Sequence, residues 1–180
     1  MTENTQQQLV ISAIGEDQPG LISKLTSAIM DTGGNILDSR MAILGGEFAM
    51  LILVAAPWNA LAKLEGSLPA LEAQLGLTLI SKRTQAGESQ PNAMPYHVEV
   101  VAIDHPGIVN HIASFFSDQG INIQELNTVR YLAAHTGAPL FSISMTVNIP
   151  MDISLAGLRE RFFTLCDEQN IDAIIEPIKL

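Results

Sequence analysis

The sequence predicts an α+β fold: two copies of one βαββαβ unit, each an antiparallel sheet carrying its helices on one face. Three observations carry this prediction. The phrase Asp17-Gln18-Pro19-Gly20 returns as Asp104-His105-Pro106-Gly107, 87 residues later, and the same displacement takes Gly33, Asn35 and Ile36 to Gly120, Asn122 and Ile123. Further on the displacement becomes 93, taking Phe48 to Phe141 and Pro57 to Pro150. Ordered matches of this kind mark a duplication, and the change puts six extra residues in the second copy, within residues 131–139. The second observation is that apolar positions change from strand-like runs to helical spacing after each Pro-Gly pair. The third is that glycines and prolines punctuate both copies at matching places.

Taken in order, residues 9–14 and 96–103 read as the first strand of each copy. The Pro-Gly turn then opens a helix. Leu21, Ile22, Leu25, Ala28 and Ile29 fall at helical spacing in the first copy, and Ile108, Val109, Ile112, Phe115 and Phe116 in the second. Gly33 and Gly120 suit the left-handed geometry that ends such helices. Strands at 36–44 and 47–55 follow, joined by a tight hairpin at Gly45-Gly46; their counterparts are 123–132 and 139–149. Leu61, Leu64, Leu68, Leu71 and Leu75 mark one face of a second helix, and Leu155, Leu158, Phe162 and Leu165 mark its counterpart. Pro69 lies inside the first of these and is expected to kink or split it. Final strands fall at 77–82 and 171–178. The polar, turn-rich stretch 84–95 reads as a linker, which places a first domain at 1–83 and a second at 96–180. The element order is ferredoxin-like. Units of about 75–85 residues have marginal cores alone, so the two are expected to pack together, and a homo-oligomer would extend that burial.

Charge and composition narrow the function. Among 180 residues there are nine Lys and Arg against 19 Asp and Glu, a net charge of −10. Binding to phosphate backbones needs clustered cations, and here they are scattered, so direct binding to nucleic acid or to an anionic membrane surface is not expected. The longest apolar run, residues 48–58, falls short of the ~20 residues that span a bilayer. The N-terminus has no basic and apolar stretch of the signal-peptide kind. The single cysteine, Cys166, excludes an internal disulfide framework and suits a reducing compartment, so a cytoplasmic location is expected.

The repeated turn has a chemistry of its own. A helix N-terminus presents unpaired N–H groups and partial positive charge, which favour a carboxylate. Gly20 and Gly107 let a ligand approach the backbone closely. Asp17 or Asp104 could face an ammonium group, and Asn35 and Asn122 offer a donor and an acceptor. An amino-acid zwitterion has both poles. A plainer reading stands beside this one: each aspartate could cap its helix by accepting from the Gly20 or Gly107 N–H, and each asparagine could be a left-handed turn residue. Other candidates are weaker. His97, His105 and His111 have no Cys, Asp or Glu at zinc-like spacing, so neither a metal nor any other cofactor is expected. Cys166 lies on an apolar helix face with no histidine nearby, which suits a small buried residue better than a nucleophile. Asp38 and Glu125 correspond through the duplication rather than as a catalytic pair. No phosphate-binding glycine motif occurs.

Tandem βαββαβ units with "DQPG…GGNI" and "DHPG…GINI" resemble ACT domains, regulatory modules that often bind amino acids. The resemblance covers roughly residues 9–178. It implies that effectors lie where the first strand turns into the first helix, held by the residue before Pro-Gly and by an Asn at the start of the second strand. Asp17, Gly20, Leu21, Ile22, Asn35 and Ile36 match in the first copy, and Asp104, Gly107, Ile108, Val109, Asn122 and Ile123 in the second. Some amino-acid-binding members carry Asn where this chain has Asp, and a carboxylate accepts without donating. The two-unit layout is similar to ACT regulators that repress glycine cleavage genes. That implies a non-enzymatic regulator, with glycine as effector and a LysR-type transcriptional activator as protein partner. The alternative is a detached regulatory subunit of an amino-acid enzyme. An enzyme using Asp17, Asp104 or Cys166 is a third reading, without a nucleophile–base pair to support it.

Overall fold

A computed structural model describes residues 7–85 and 92–178. The chain divides into two compact units, Met1–Glu88 and Ser89–Leu180. The first contains β1 (Gln7–Glu16), α1 (Leu21–Asp31), β2 (Asn35–Leu44), β3 (Glu47–Ala56), α2 (Trp58–Leu75) and β4 (Thr78–Thr84). The second contains β5 (Ala93–Ile103), α3 (Ile108–Asp118), β6 (Asn122–Leu132), β7 (Pro139–Pro150), α4 (Leu155–Glu168) and β8 (Asp172–Pro177). Strand order is β2-β3-β1-β4 in one sheet and β6-β7-β5-β8 in the other, with every pairing antiparallel. Each unit is therefore the ferredoxin-like α+β arrangement that the sequence predicts.

The duplication extends to backbone detail. β2 bulges between Ile36 and Asp38, and β6 bulges between Ile123 and Glu125, the corresponding place. α1 ends with Gly33 N–H donating to Met30 and Gly34 N–H to Ile29; α3 ends with Gly120 donating to Ser117 and Ile121 to Phe116. Both are Schellman ends, with the left-handed residue a glycine. The hairpins differ. Leu44 pairs with Glu47 across Gly45-Gly46 in the first unit. In the second, Tyr131 pairs with Leu140, Leu132 with Pro139, and residues 133–138 form the loop. The six inserted residues thus add one rung and lengthen the turn.

Two expectations change. β5 begins at Ala93, inside the stretch read as a linker, because β7 runs on to Pro150 and offers Ala93, Met94 and Pro95 a partner strand. Pro69 does not split α2, which runs as one helix from Trp58 to Leu75. Leu61, Leu64 and Leu68 are buried before the proline and Leu75 after it. Burying a leucine contributes about 1.5–3 kcal/mol, so the leucine face outweighs the ~3 kcal/mol that proline costs a helix interior.

Alternate strand residues face the helices. Leu9, Ile11 and Ala13 of β1 and Phe48, Met50, Ile52 and Val54 of β3 meet α1 and α2 in one core. Val98, Val100, Ile143, Met145 and Val147 do the same against α3 and α4, where Phe115, Phe116 and Phe162 pack with ring centroids 5.2–5.3 Å apart. The first core is leucine-rich and the second aromatic. On the faces away from the helices, β3 presents Ala49, Leu51 and Leu53, whereas β7 presents Ser142, Ser144 and Thr146 at the matching rungs.

Candidate functional site

The strand-to-helix turns are built alike. β1 ends at Glu16, and Asp17 N–H donates to Gly46 at 3.3 Å; Asp104 N–H donates to Pro139 at 3.0 Å. Gly20 and Gly107 are the residues before α1 and α3, with φ of 91° and 100°. L-residues with a side chain enter this left-handed region at a cost. Gly20 carbonyl accepts from Lys24 N–H at 3.0 Å, and Gly107 carbonyl from His111 N–H at 2.9 Å. The N–H groups of the first helical residues, Leu21, Ile22 and Ser23 in α1, therefore lie outside the helical ladder. Neither helix has a side-chain cap or an acidic residue in its first turn. The capping expectation for Asp17 and Asp104 fails because the glycine, three residues on, takes the cap position. Among the described residues, the one side-chain helix cap is Ser154, whose hydroxyl accepts from Gly157 N–H at 3.4 Å.

The surroundings of the two aspartates differ. Asp17 is exposed and, among the described residues, its carboxylate has no hydrogen bond or ion pair. It lines an open pocket of about 650 Å³ with Gly20, Leu21, Ile22, Met41 and Phe48 among its neighbours. Asp104 is engaged: its Oδ2 accepts from Arg130 Nε at 2.6 Å. Arg130 stands on β6 opposite Phe141, as Ile43 stands on β2 opposite Phe48. An apolar residue beside the first turn is thus a guanidinium beside the second. The His111 imidazole lies alongside Gly107, with Cε1 3.5 Å from where a Cβ would be.

The asparagines are elsewhere. Asn35 pairs with Ala55, and Ala55 with Gln8, at the start of β1; Ile43 pairs with Phe48, and Phe48 with Gly15, at its end. Seven strand positions separate these rows, roughly 23 Å. Asp17 and Asn35 of one unit therefore do not converge on one ligand. The same register separates Asp104 from Asn122. Asn35 and Ile36 instead line a second hollow, of about 330 Å³, with Gly34, Ile29 and Met30 at the other end of α1. Neither asparagine is left-handed; among the described non-glycine residues only Asn170 has positive φ. Ile108 is buried, Val109 and Ile123 pack partly against the second core, and Asn122 is exposed on edge strand β6.

The remaining candidates have structural explanations. Asp38 Oδ1 accepts from Ser39 N–H at 2.8 Å and from Arg40. Glu125 follows the matching bulge. Cys166 is buried in the second core, and its thiol is pushed up to about 11, chiefly by burial and then by Asp167. A thiol in that state is not an activated nucleophile. No helix among the described residues is long and apolar enough to cross a membrane.

Sequence reasoning missed Arg130, Met41 and Phe48. The repeat contained the signal for Arg130, since a cation facing an isoleucine across the duplication is a sharp mismatch. Met41 and Phe48 approach the turn only through the pairing of β2, β3 and β1, which no local pattern reveals.

Comparison with known proteins agrees with this architecture. A model of the ACT domain matches residues 7–81, within the first unit. The glycine cleavage system transcriptional repressor of Escherichia coli (strain K12) is 33% identical over 178 residues, 99% of this chain and 94% of that protein. A crystal structure of an unknown protein from Galdieria sulphuraria superposes with a TM-score of 0.78 at 28% identity, covering 97% of this chain and 99% of that one. A crystal structure provisionally named a glycine cleavage system transcriptional repressor gives 0.71 at 28% identity, with the same coverage. The chain is a tandem ACT-domain protein and belongs to the family of the glycine cleavage system transcriptional repressor.

Proposed function

We propose that the chain is an amino-acid-responsive, non-enzymatic regulator that represses transcription through a protein partner, with its effector held at the turn of the first unit. The observation that carries this reading is Asp17: an unengaged carboxylate beside uncapped helical N–H groups, at the edge of an open pocket. An ammonium group would meet the carboxylate, and the ligand's own carboxylate would meet the helix N-terminus. At the second turn Arg130 already meets Asp104, so that unit is the weaker candidate. The name of the Escherichia coli relative makes glycine the first effector to test and the glycine cleavage genes the first target.

A net charge of −10 disfavours direct contact with DNA, which leaves a protein such as a LysR-type activator as the route to transcription. Asn35 and Asn122, far from the turns of their own units, are exposed and available to a second copy or a partner, whereas Ile36 and Ile123 pack partly against their own cores. Edge strand β2, with Leu37, Met41, Ile43 and Leu44 exposed, favours a homo-oligomer. Effector and partner would then be linked: a ligand preferring one arrangement shifts affinity for whatever binds the other. A cytoplasmic location accords with this role. The test is calorimetry of the intact chain with glycine and the other amino acids, with and without the activator. Binding that changes activator affinity is expected. The reading is overturned by absence of heat from every amino acid together with unchanged activator association.

A further inference from the structure

Independently of the effector, we infer that the open face of the first sheet is an interface between two copies of this chain, stacked face to face. Residues paired across antiparallel strands share a face. The pairs Leu53–Val10, Leu51–Ser12 and Ala49–Ile14, with Ile80 beyond Ser12, therefore put an apolar centre on the side of the sheet away from α1 and α2. Leu51, Ile14 and Ile80 keep 51%, 49% and 64% of their surface exposed. The fold does not require an apolar face there. Displacement by 87 or 93 residues puts His97, Ser144 and Thr146 where Val10, Leu51 and Leu53 stand, and the second unit builds the same sheet order with that polar face. Exposed apolar area beyond what folding needs marks an interaction surface.

The face is built to meet itself. Its rim carries both signs, Arg40 and Lys82 with Asp38, Glu16 and Glu47, around the apolar centre, which is the anatomy of a specific interface. Along β1 and β3 the paired rows run from Glu16–Glu47 at one end to Gln8–Ala55 at the other, with Ser12–Leu51 midway. A twofold axis crossing the strands at Ser12–Leu51 lays the Glu16–Glu47 end of one copy over the Gln8–Ala55 end of the other. The carboxylates are then kept apart, and Leu51 meets the Leu51 region of the second copy, an isologous contact. Arg40, opposite Leu51 on β2, approaches its own counterpart, and Asp38 pairs with it within each copy. Three strands of ten residues and one of seven make a face of about 600 Å², at about 3.3 Å per residue and about 4.8 Å between strands. Two such faces bury about 1,200 Å², enough for a specific interface at the small end of its range.

The test is sedimentation equilibrium of the intact chain over a dilution series, without amino acid, on the parent, Leu51→Lys, Ile80→Lys and Ser144→Lys. Circular dichroism checks that each variant is folded. The parent should dimerise. Leu51→Lys, at the axis, and Ile80→Lys should each raise the dimer dissociation constant at least about tenfold, because each sets an unpaired charge in the apolar centre. Ser144→Lys, at the rung of the second sheet that matches Leu51, should leave it unchanged. Added salt should not weaken the dimer, since the contact is apolar and the net charge of −10 makes each copy repel the other. A parent that stays monomeric would overturn the inference and leave the face to a different protein. A dimer that neither Leu51→Lys nor Ile80→Lys weakens, or that Ser144→Lys weakens as much, would place the interface elsewhere and overturn it as well. Each of these results leaves the amino-acid reading of the first turn intact.

Discussion

At the first turn Asp17 stands unengaged at the edge of an open pocket; at the second Asp104 is held by Arg130, and the His111 ring lies alongside Gly107. The backbone is nearly the same in both, from the anchoring N–H of the aspartate to the left-handed glycine and the uncapped helix. Duplication has thus kept the frame and changed the side chains reaching it from the neighbouring strand. The sheets follow the same rule, with Leu51 and Leu53 on the open face of one unit where Ser144 and Thr146 stand in the other. Frame and side chains separate in this protein: the turn is a shared scaffold, and β2 and β6 bring different residues to it.

The largest test of this comparison is in the cores. Phe162 is fully buried against Phe115 and Phe116, and Phe162→Ala should cost about 3–5 kcal/mol. Leu61→Ala, in the leucine-rich core, should cost about 2–5 kcal/mol. Each unit carries its own probe in denaturant titrations. Trp58 fluorescence reports the first, and Cys166, whose thiol is buried and held protonated, reports the second by reacting with a thiol reagent only on opening. If each substitution shifts its own probe more than the other, the units have separable stability. Identical shifts at both probes would show a single cooperative unit.

The shared frame comes next. Gly20→Ala and Gly107→Ala place a Cβ in left-handed backbone, and each should cost about 1–2 kcal/mol by the same titration. The two costs should match, because a Cβ at Gly20 meets nothing within 4 Å and one at Gly107 only touches the His111 ring.

Smaller effects separate the turns. Asp104→Ala removes a half-exposed ion pair and should cost about 0.2–1 kcal/mol, less in high salt. Asp17→Ala breaks no contact and should stay within about 0.5 kcal/mol of the parent. A clear salt-sensitive loss at Asp17 would contradict the difference between the turns. The smallest effect is a pH dependence of the first unit. Glu65 on α2 accepts from Arg83 on β4 at 2.8 Å, and that hydrogen bond holds its carboxyl below the usual 4.5. With the folded value depressed, the stabilisation is present above about pH 4.5 and is lost as pH falls through the folded value. Arg83→Gln should flatten the acid limb of the Trp58 transition and leave the Cys166 transition unchanged.

Much of the fold was legible because the duplication supplied two readings of each element. Gly33 and Gly120 marked helix ends, and Gly45-Gly46 marked a hairpin, because turn geometry is a local property. The start of β5 was not legible, since Ala93–Pro95 become a strand only when β7 extends to meet them. Pro69 misled because a local penalty was outweighed by leucine burial on both sides of it. In the site, Asp17 and Gly20 could be found from the turn alone. Pairing Asp17 with Asn35 in one grip failed because β2 runs antiparallel to β3, which carries its first residue to the far end of the sheet. Arg130 lay outside every motif and showed only as a break in the repeat.

The most direct measurement is the stoichiometry of amino-acid binding in the parent chain, Asp17→Ala and Asp104→Ala, by calorimetry with glycine and the other amino acids. The expected result is one site per chain, lost in Asp17→Ala and retained in Asp104→Ala. Two equal sites per chain, or a single site lost with Asp104 and kept without Asp17, would contradict the assignment of the effector to the first turn.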